Sequence, residues 1–316
     1  MPTANKALSA AASTELFHGT NEISKRTAEF FGAHIRNRHT RQAYLRAVRD
    51  FASWCRGQGI DSLLAIQPIE VAGWVEQLQR RLSPPTVKQY LAALRMLFDW
   101  LVVGQIMPSN PASVVRGPRY SVKRGKTTVL SAEEVKTLLD SIETSTAIGQ
   151  RDRALIGLLV YTFARVGAAI QVRQEDIYRQ GRRLWVRLHE KGGKQHEMPC
   201  HHRLEEYLEE YLHAVPGNPK GWLFRTTRGR NGPITERPMA QPDVYRMVQR
   251  RAERAGLETR ICCHTFRATG ITEYLRHGGR LEVAQQMANH ESARTTGLYD
   301  RRLDLVTLDE VERIVF

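Results

Sequence analysis

No acidic residue falls between Asp99 and Glu133, and this gap carries Arg116, Arg119, Lys123, Arg124 and Lys126 among Pro111, Gly117, Pro118 and Gly125. Pro and Gly discourage a regular element and like charges repel, so residues 116–128 are expected to form an extended basic linker. A solvated surface loop is the plainer alternative. Such a linker limits what the chain can fold into. It separates helical patterning on its N-terminal side from a mixed pattern on its C-terminal side. Two domains suit the 316 residues, at roughly 150 residues each.

The charge follows the same division. Residues 1–128 hold 18 basic and 8 acidic side chains and residues 129–316 hold 29 and 25, so +10 of the net +14 lies in the first segment. This excess puts nucleic acid or another acidic partner first. Of the 47 basic residues 38 are Arg, which grips phosphate through two parallel hydrogen bonds, although a bias towards Arg codons explains the count equally well. No apolar run approaches the roughly 18 residues of a membrane span, and residues 1–20 show no basic segment leading into an apolar one. Cys55, Cys200, Cys262 and Cys263 form no CxxC pair, which favours a reduced cytoplasmic chain over a disulfide scaffold.

Apolar residues at helical spacing mark three N-terminal helices: Tyr44, Val48, Phe51 and Trp54; Val71, Trp74, Val75 and Leu78; and Val87 to Leu101 after the start signal Ser83-Pro84-Pro85. Residues 21–115 are therefore expected to form a helical bundle, with residues 1–20 a loosely held tail. Beyond the linker, Ser131-Ala132-Glu133-Glu134 is a capping box, and an apolar helix is expected over residues 151–163. Leu184, Val186 and Leu188 alternate with Arg183, Trp185 and Arg187, so residues 182–199 read as a β-hairpin with Lys191 at its turn. Further helices are expected at 204–212, 242–255 and from about 267. The fold class is mainly α with a small antiparallel sheet, residues 129–316 forming the second domain.

Six polar residues of this second domain are candidates for chemistry: Arg165, Lys191, His264, Arg267, His290 and Tyr299. Each alone has an ordinary structural explanation, such as a helix-end cation or a hydrogen-bonded core histidine. Their order changes the weighting. His264 and Arg267 share a helical face at a spacing of three. Lys191 follows Arg165 by 26 residues, His290 follows His264 by 26, and Tyr299 comes nine later. This arrangement resembles the tyrosine recombinase, or phage integrase, family from about residue 24 to the end. That family reads Arg, hairpin Lys, His-x-x-Arg, a second His and a nucleophilic Tyr. A shifted alignment would put Cys263 on the Arg and Gln286 on the second His; the preferred register leaves all four later positions chemically competent. Lys194 competes with Lys191, and the resemblance assigns the first lysine of the turn.

Three departures stand out. Phe163-Ala164 replaces a small-apolar pair that usually begins with Gly, and Ala168 replaces a Glu that helps position the Arg, so some other group must do that or the site is looser. Asn289 replaces a Gly before the second His.

The resemblance implies a SAM-like helical core-binding domain joined to a catalytic domain in a clamp around duplex DNA, with Arg116, Arg119, Lys123, Arg124 and Lys126 along the backbone. It implies DNA cleavage and rejoining through a 3′-phosphotyrosyl ester, a tetramer on paired sites, and a C-terminal tail that docks on a neighbour or packs as a last helix on its own domain. The required chemistry suits the residue types. A tyrosine hydroxyl needs help to lose its proton. Arg165 and Arg267 can neutralise the pentacovalent phosphorus, His264 can act as base, Lys191 as acid, and His290 as a hydrogen-bond donor. No cofactor or metal is required; a zinc site from Cys200-His201-His202 and Cys262-Cys263-His264 fits no regular ligand spacing. A type IB topoisomerase and an inactive DNA-binding accessory protein share parts of this pattern and stay open. Integration, excision and resolution are not distinguished.

Overall fold

The computed structural model describes residues 15–17, 21–121, 125–190, 193–215, 217–229, 232–300 and 311–312. Lys191, Lys123, Arg124 and, beyond Asp300, all of the C-terminal tail except Val311 and Glu312 lie outside them. The chain forms two compact units, divided between Ser121 and Val122.

The first unit is helical: α1 (Asn21–Glu29), a π turn (Phe30–His34), α2 (Arg38–Gly57), α3 (Pro68–Arg81) and α4 (Pro84–Val103). Local chemistry sets the starts. The Asn37 side chain accepts from the amides of His39 and Thr40 to cap α2. Proline opens both α3 and α4, where its missing N–H costs nothing. The expected apolar faces meet as a core in which Phe51 packs edge-on against Trp74 and Phe98, at 5.1 and 6.0 Å between ring centroids. The Trp74 indole N–H donates to Asp50, which also holds Arg81. One expectation is corrected here: Glu15–Phe17 form a 3₁₀ turn with Leu16 and Phe17 buried in this core. Two large apolar side chains gain enough by burial to dock a segment read as loose tail.

The second unit holds α5 (Ala132–Asp140), α6 (Ala147–Tyr161), α7 (Val166–Ala169), α8 (His202–Ala214), α9 (Gln241–Arg254), α10 (Cys263–Arg276), α11 (Leu281–Met287) and α12 (Ala293–Gly297). Ser131 and Glu134 form the expected capping box at α5. Helix α6 is apolar over residues 154–160 and packs against α8 and α10. It starts earlier than its apolar run, at Ala147, because Thr146 caps it through the Gly149 amide.

Strands β1 (Ile177–Gln180), β2 (Arg183–His189) and β3 (Gln195–Pro199) form an antiparallel sheet in that order. Val186 pairs with both Ile177 and Met198. The expected hairpin is β2–β3. Strand β1 was not expected, because its four residues are too short and polar to show a period. A second sheet, β4 (Arg225–Thr227) with β5 (Ile234–Pro238), was hidden for the same reason. Helix α10 begins at Cys263 rather than near 267, since the Thr265 hydroxyl accepts from the Cys262 amide and starts the turn. Among the described residues no helix is long and apolar enough to cross a membrane.

Candidate active site

Two bends in the second unit bring the candidate residues together. The first follows α6, where Phe163 has φ of 55°. A non-glycine residue in this left-handed region is uncommon, and for a bulky one it is strained. The bend ends the helix and places Arg165 at the N-cap of the short α7. Arg165 therefore opens a helix, where the sequence suggested that it closes one. The second bend follows α11, where Asn289 has φ of 46°. Asn tolerates this conformation better than most residues, which explains why it can stand where the resemblance expects Gly.

Both bends hold Arg267. This side chain is 1% exposed and rises from the first turns of α10. Its Nη1 donates to the carbonyl of Phe163 and its Nη2 to that of Ala288, the residues at and just before the two left-handed positions. Its Nε is buried without a partner. Burial, then the charge of Arg165, lowers its pKa to about 10, with opposing pulls from Tyr299 and Glu190; it stays cationic near neutral pH.

His264 lies three residues before Arg267 and is exposed. Its Nε2 is 2.9 Å from the Tyr299 hydroxyl. Loss of solvation, followed by the charges of Arg267 and Arg165, holds its pKa below 6.5. Tyr299 is buried, and burial raises its pKa while Arg267 and Arg165 pull the other way. Its carbonyl accepts from Thr272 at 3.1 Å. His290 lies parallel to the Tyr299 ring at 6.0 Å, with its Nδ1 2.9 Å from the hydroxyl of the buried Thr296. Desolvation, then Arg267, Arg165 and His264, lowers its pKa to about 3. A neutral His290 whose Nδ1 accepts from Thr296 carries its proton on Nε2.

Arg165 Nη1 donates to Glu190 Oε2 at 2.8 Å. Glu190 directly follows β2 and precedes Lys191, which lies outside the described residues. Glu190 and Thr296 were missed in the sequence; the one signal for Glu190 was Ala168, which left Arg165 without its usual neighbour. Lys194 is exposed and pairs with Glu291 at 3.2 Å. Arg116, Arg119 and Lys126 are exposed. Cys200 and Cys263 are buried thiols with pKa raised to about 12 and about 11 by desolvation. Among the described residues no three His, Cys, Asp or Glu side chains gather as metal ligands.

Comparison with known proteins matches residues 128–304 to the phage integrase family and residues 31–104 to the N-terminal SAM-like domain of phage integrases. The chain is 28% identical over 289 residues to the tyrosine recombinase XerD of Corynebacterium glutamicum, covering 87% of this chain and 90% of that one. It is 27% identical over 303 residues to XerC of Myxococcus xanthus, covering 90% and 95%. Among solved structures it resembles XerH bound to a palindromic difH substrate, with TM-score 0.71, 21% identity and coverage of 98% and 94%. It also resembles a lambda integrase dimer bound to a COC′ core site, with TM-score 0.66, 18% identity and coverage of 85% and 94%.

Proposed function

Since the chain belongs to the phage integrase family, we infer that it is a site-specific DNA recombinase in which Tyr299 attacks the scissile phosphate. The observation that carries this reading is the 2.9 Å contact between the Tyr299 hydroxyl and His264 Nε2, beside Arg267. A Tyr hydroxyl with a raised pKa does not ionise by itself near neutrality. It needs a neutral base within hydrogen-bond reach, and His264 with its lowered pKa is one.

The step balances as a transesterification. The Tyr299 oxygen bonds to phosphorus, the bond to the 5′ oxygen breaks, and the tyrosine proton passes to His264. Lys191 supplies a proton to the leaving 5′ oxygen. Negative charge grows on the non-bridging oxygens, where Arg165 and Arg267 oppose it and His290 donates from Nε2. The phosphotyrosyl ester keeps the bond energy, so a 5′ hydroxyl from another strand rejoins it without ATP. No step requires a metal or cofactor.

Double-stranded DNA is the partner, and a tetramer on paired sites is the working assembly. The +10 excess of residues 1–128 and the exposed Arg116, Arg119 and Lys126 favour backbone contact, with Lys123 and Arg124 in the same stretch. The protein acts in the cytoplasm, where its substrate is.

Incubation with its nicked target site is expected to trap a covalent protein–DNA adduct in the wild type and none in Tyr299→Phe. Exchange of strands between two marked sites then separates recombination from simple relaxation. A wild type that binds its site and forms no adduct would overturn the reading.

A further inference from the structure

Arg165 and Arg267 place two positive charges on one small site, and each acts on His264, His290 and Tyr299. Before DNA arrives, like charges held this close repel and favour an arginine that swings out to solvent. Arg267 cannot swing, because it is buried and tied to two carbonyls. Arg165 can: its side chain is 43% exposed and it has only the four-residue α7 behind it. Three residues on, along that same helix, stands Ala168, whose methyl holds nothing.

The carboxylate of Glu190 meets this need from another element. Its side chain is 5% exposed, and it accepts from Arg165 Nη1 at 2.8 Å. Among the described residues, His196 on β3 and Arg267 also feel the charge of Glu190. A carboxylate this buried requires a cationic partner, and a guanidinium held by one edge keeps its other N–H groups for a ligand. The backbone of Glu190 is itself fixed, since its amide donates to the Lys194 carbonyl at 2.8 Å.

We propose that Glu190 is the positioning residue for Arg165, doing from the end of β2 what no side chain at position 168 can do. This rests on the recombinase reading above. It means that the arginine that neutralises the phosphate is aimed by the hairpin and not by its own helix.

The test uses the full chain, a nicked target site and single-turnover cleavage. Wild-type adduct formation is the control, and its absence counts against the recombinase reading, not against Glu190. Glu190→Gln, which keeps the shape and removes the charge, is expected to slow cleavage roughly 10- to 100-fold, as misplacement of a reacting group by about 1 Å does. Its affinity for the site is expected to stay within about threefold of wild type or to tighten, since a negative charge near the DNA is lost. A purely structural role would weaken binding and cleavage together. In an Arg165→Ala background, Glu190→Gln is expected to change cleavage by less than about twofold, because the group it acts through is gone. The proposal is overturned if Glu190→Gln cleaves within about twofold of wild type, or if it slows Arg165→Ala as much as it slows the wild type. Should Glu190→Gln not fold, Glu190→Asp is measured in the same way. Cleavage slowed with binding retained supports the proposal, and parallel loss of both overturns it.

Discussion

The amide of Gly125 donates to the carbonyl of Leu298 at 2.9 Å, so the end of the basic stretch is bonded one residue away from Tyr299. A Cβ on Gly125 would stand 2.8 Å from that same carbonyl oxygen, closer than a side chain tolerates. Gly125→Ala is therefore expected to displace the Leu298 peptide and tilt the tyrosine. Adduct formation on a nicked site should slow by roughly 10-fold or more while the melting temperature moves by only a few degrees. An unchanged cleavage rate would show that the tyrosine segment does not depend on this bond.

The histidines set the pH response. His264 has a folded pKa below 6.5, so it stays neutral, and able to accept a proton, to lower pH than a free histidine does. The acid limb of cleavage should therefore have its midpoint below pH 6.5, in a profile measured from about pH 5 to about pH 9. A midpoint at or above that value would contradict His264 as the base. His290, at about 3, does not titrate in this window. Its depressed value also acts on stability. Between about 6.5 and about 3 the unfolded chain binds a proton there that the folded chain does not, so stability falls with pH by up to about 1.4 kcal/mol per unit. Replacing His290 with Gln should flatten urea-unfolding free energies over that range.

Backbone conformation separates the two bends. At Asn289, φ is 46°, so Asn289→Gly should be neutral or slightly stabilising, whereas Asn289→Val should cost about 1–2 kcal/mol in chemical denaturation. Phe163 behaves differently. Its ring is buried against α10 at Gly270, where an added Cβ would stand 2.7 Å from it and 2.2 Å from the Val160 carbonyl. Phe163→Gly relieves the backbone and loses the ring, and the cavity should dominate, with a net loss of about 2–4 kcal/mol. If Phe163→Gly raised stability, the ring would not be what holds this bend.

Asp152 is the charge on which the core of the second unit depends. It is 1% exposed, accepts from Arg151 at 2.6 and 3.0 Å, and accepts from Arg251 at 2.8 and 3.0 Å. Asp152→Asn leaves two guanidiniums, one of them buried, without a counter-charge and should cost about 3–5 kcal/mol in denaturant unfolding. Glu291→Gln breaks the exposed pair with Lys194 and should cost less than about 1 kcal/mol. Equal losses would mean that burial does not govern these pairs here.

The helices and the hairpin were legible because periodicity survives in a single sequence. A face such as Val87, Leu91, Leu94, Phe98 and Leu101 needs no partner to be visible, and neither does the alternation from Arg183 to Leu188. Elements of three to five residues, β1, β4 and β5, carry too little period to be seen. The order of Arg165, His264, Arg267, His290 and Tyr299 was likewise open to reading. Sequence alone thus determined the longer helices and the hairpin, and the order of the candidate polar residues. Tertiary structure decided the relations among them: Tyr299 to His264, Arg267 to the carbonyls at two left-handed bends, and Arg165 to Glu190. These contacts span 21 to 104 residues of chain. Hydrogen bonding and charge act across space, and only the folded backbone sets those distances.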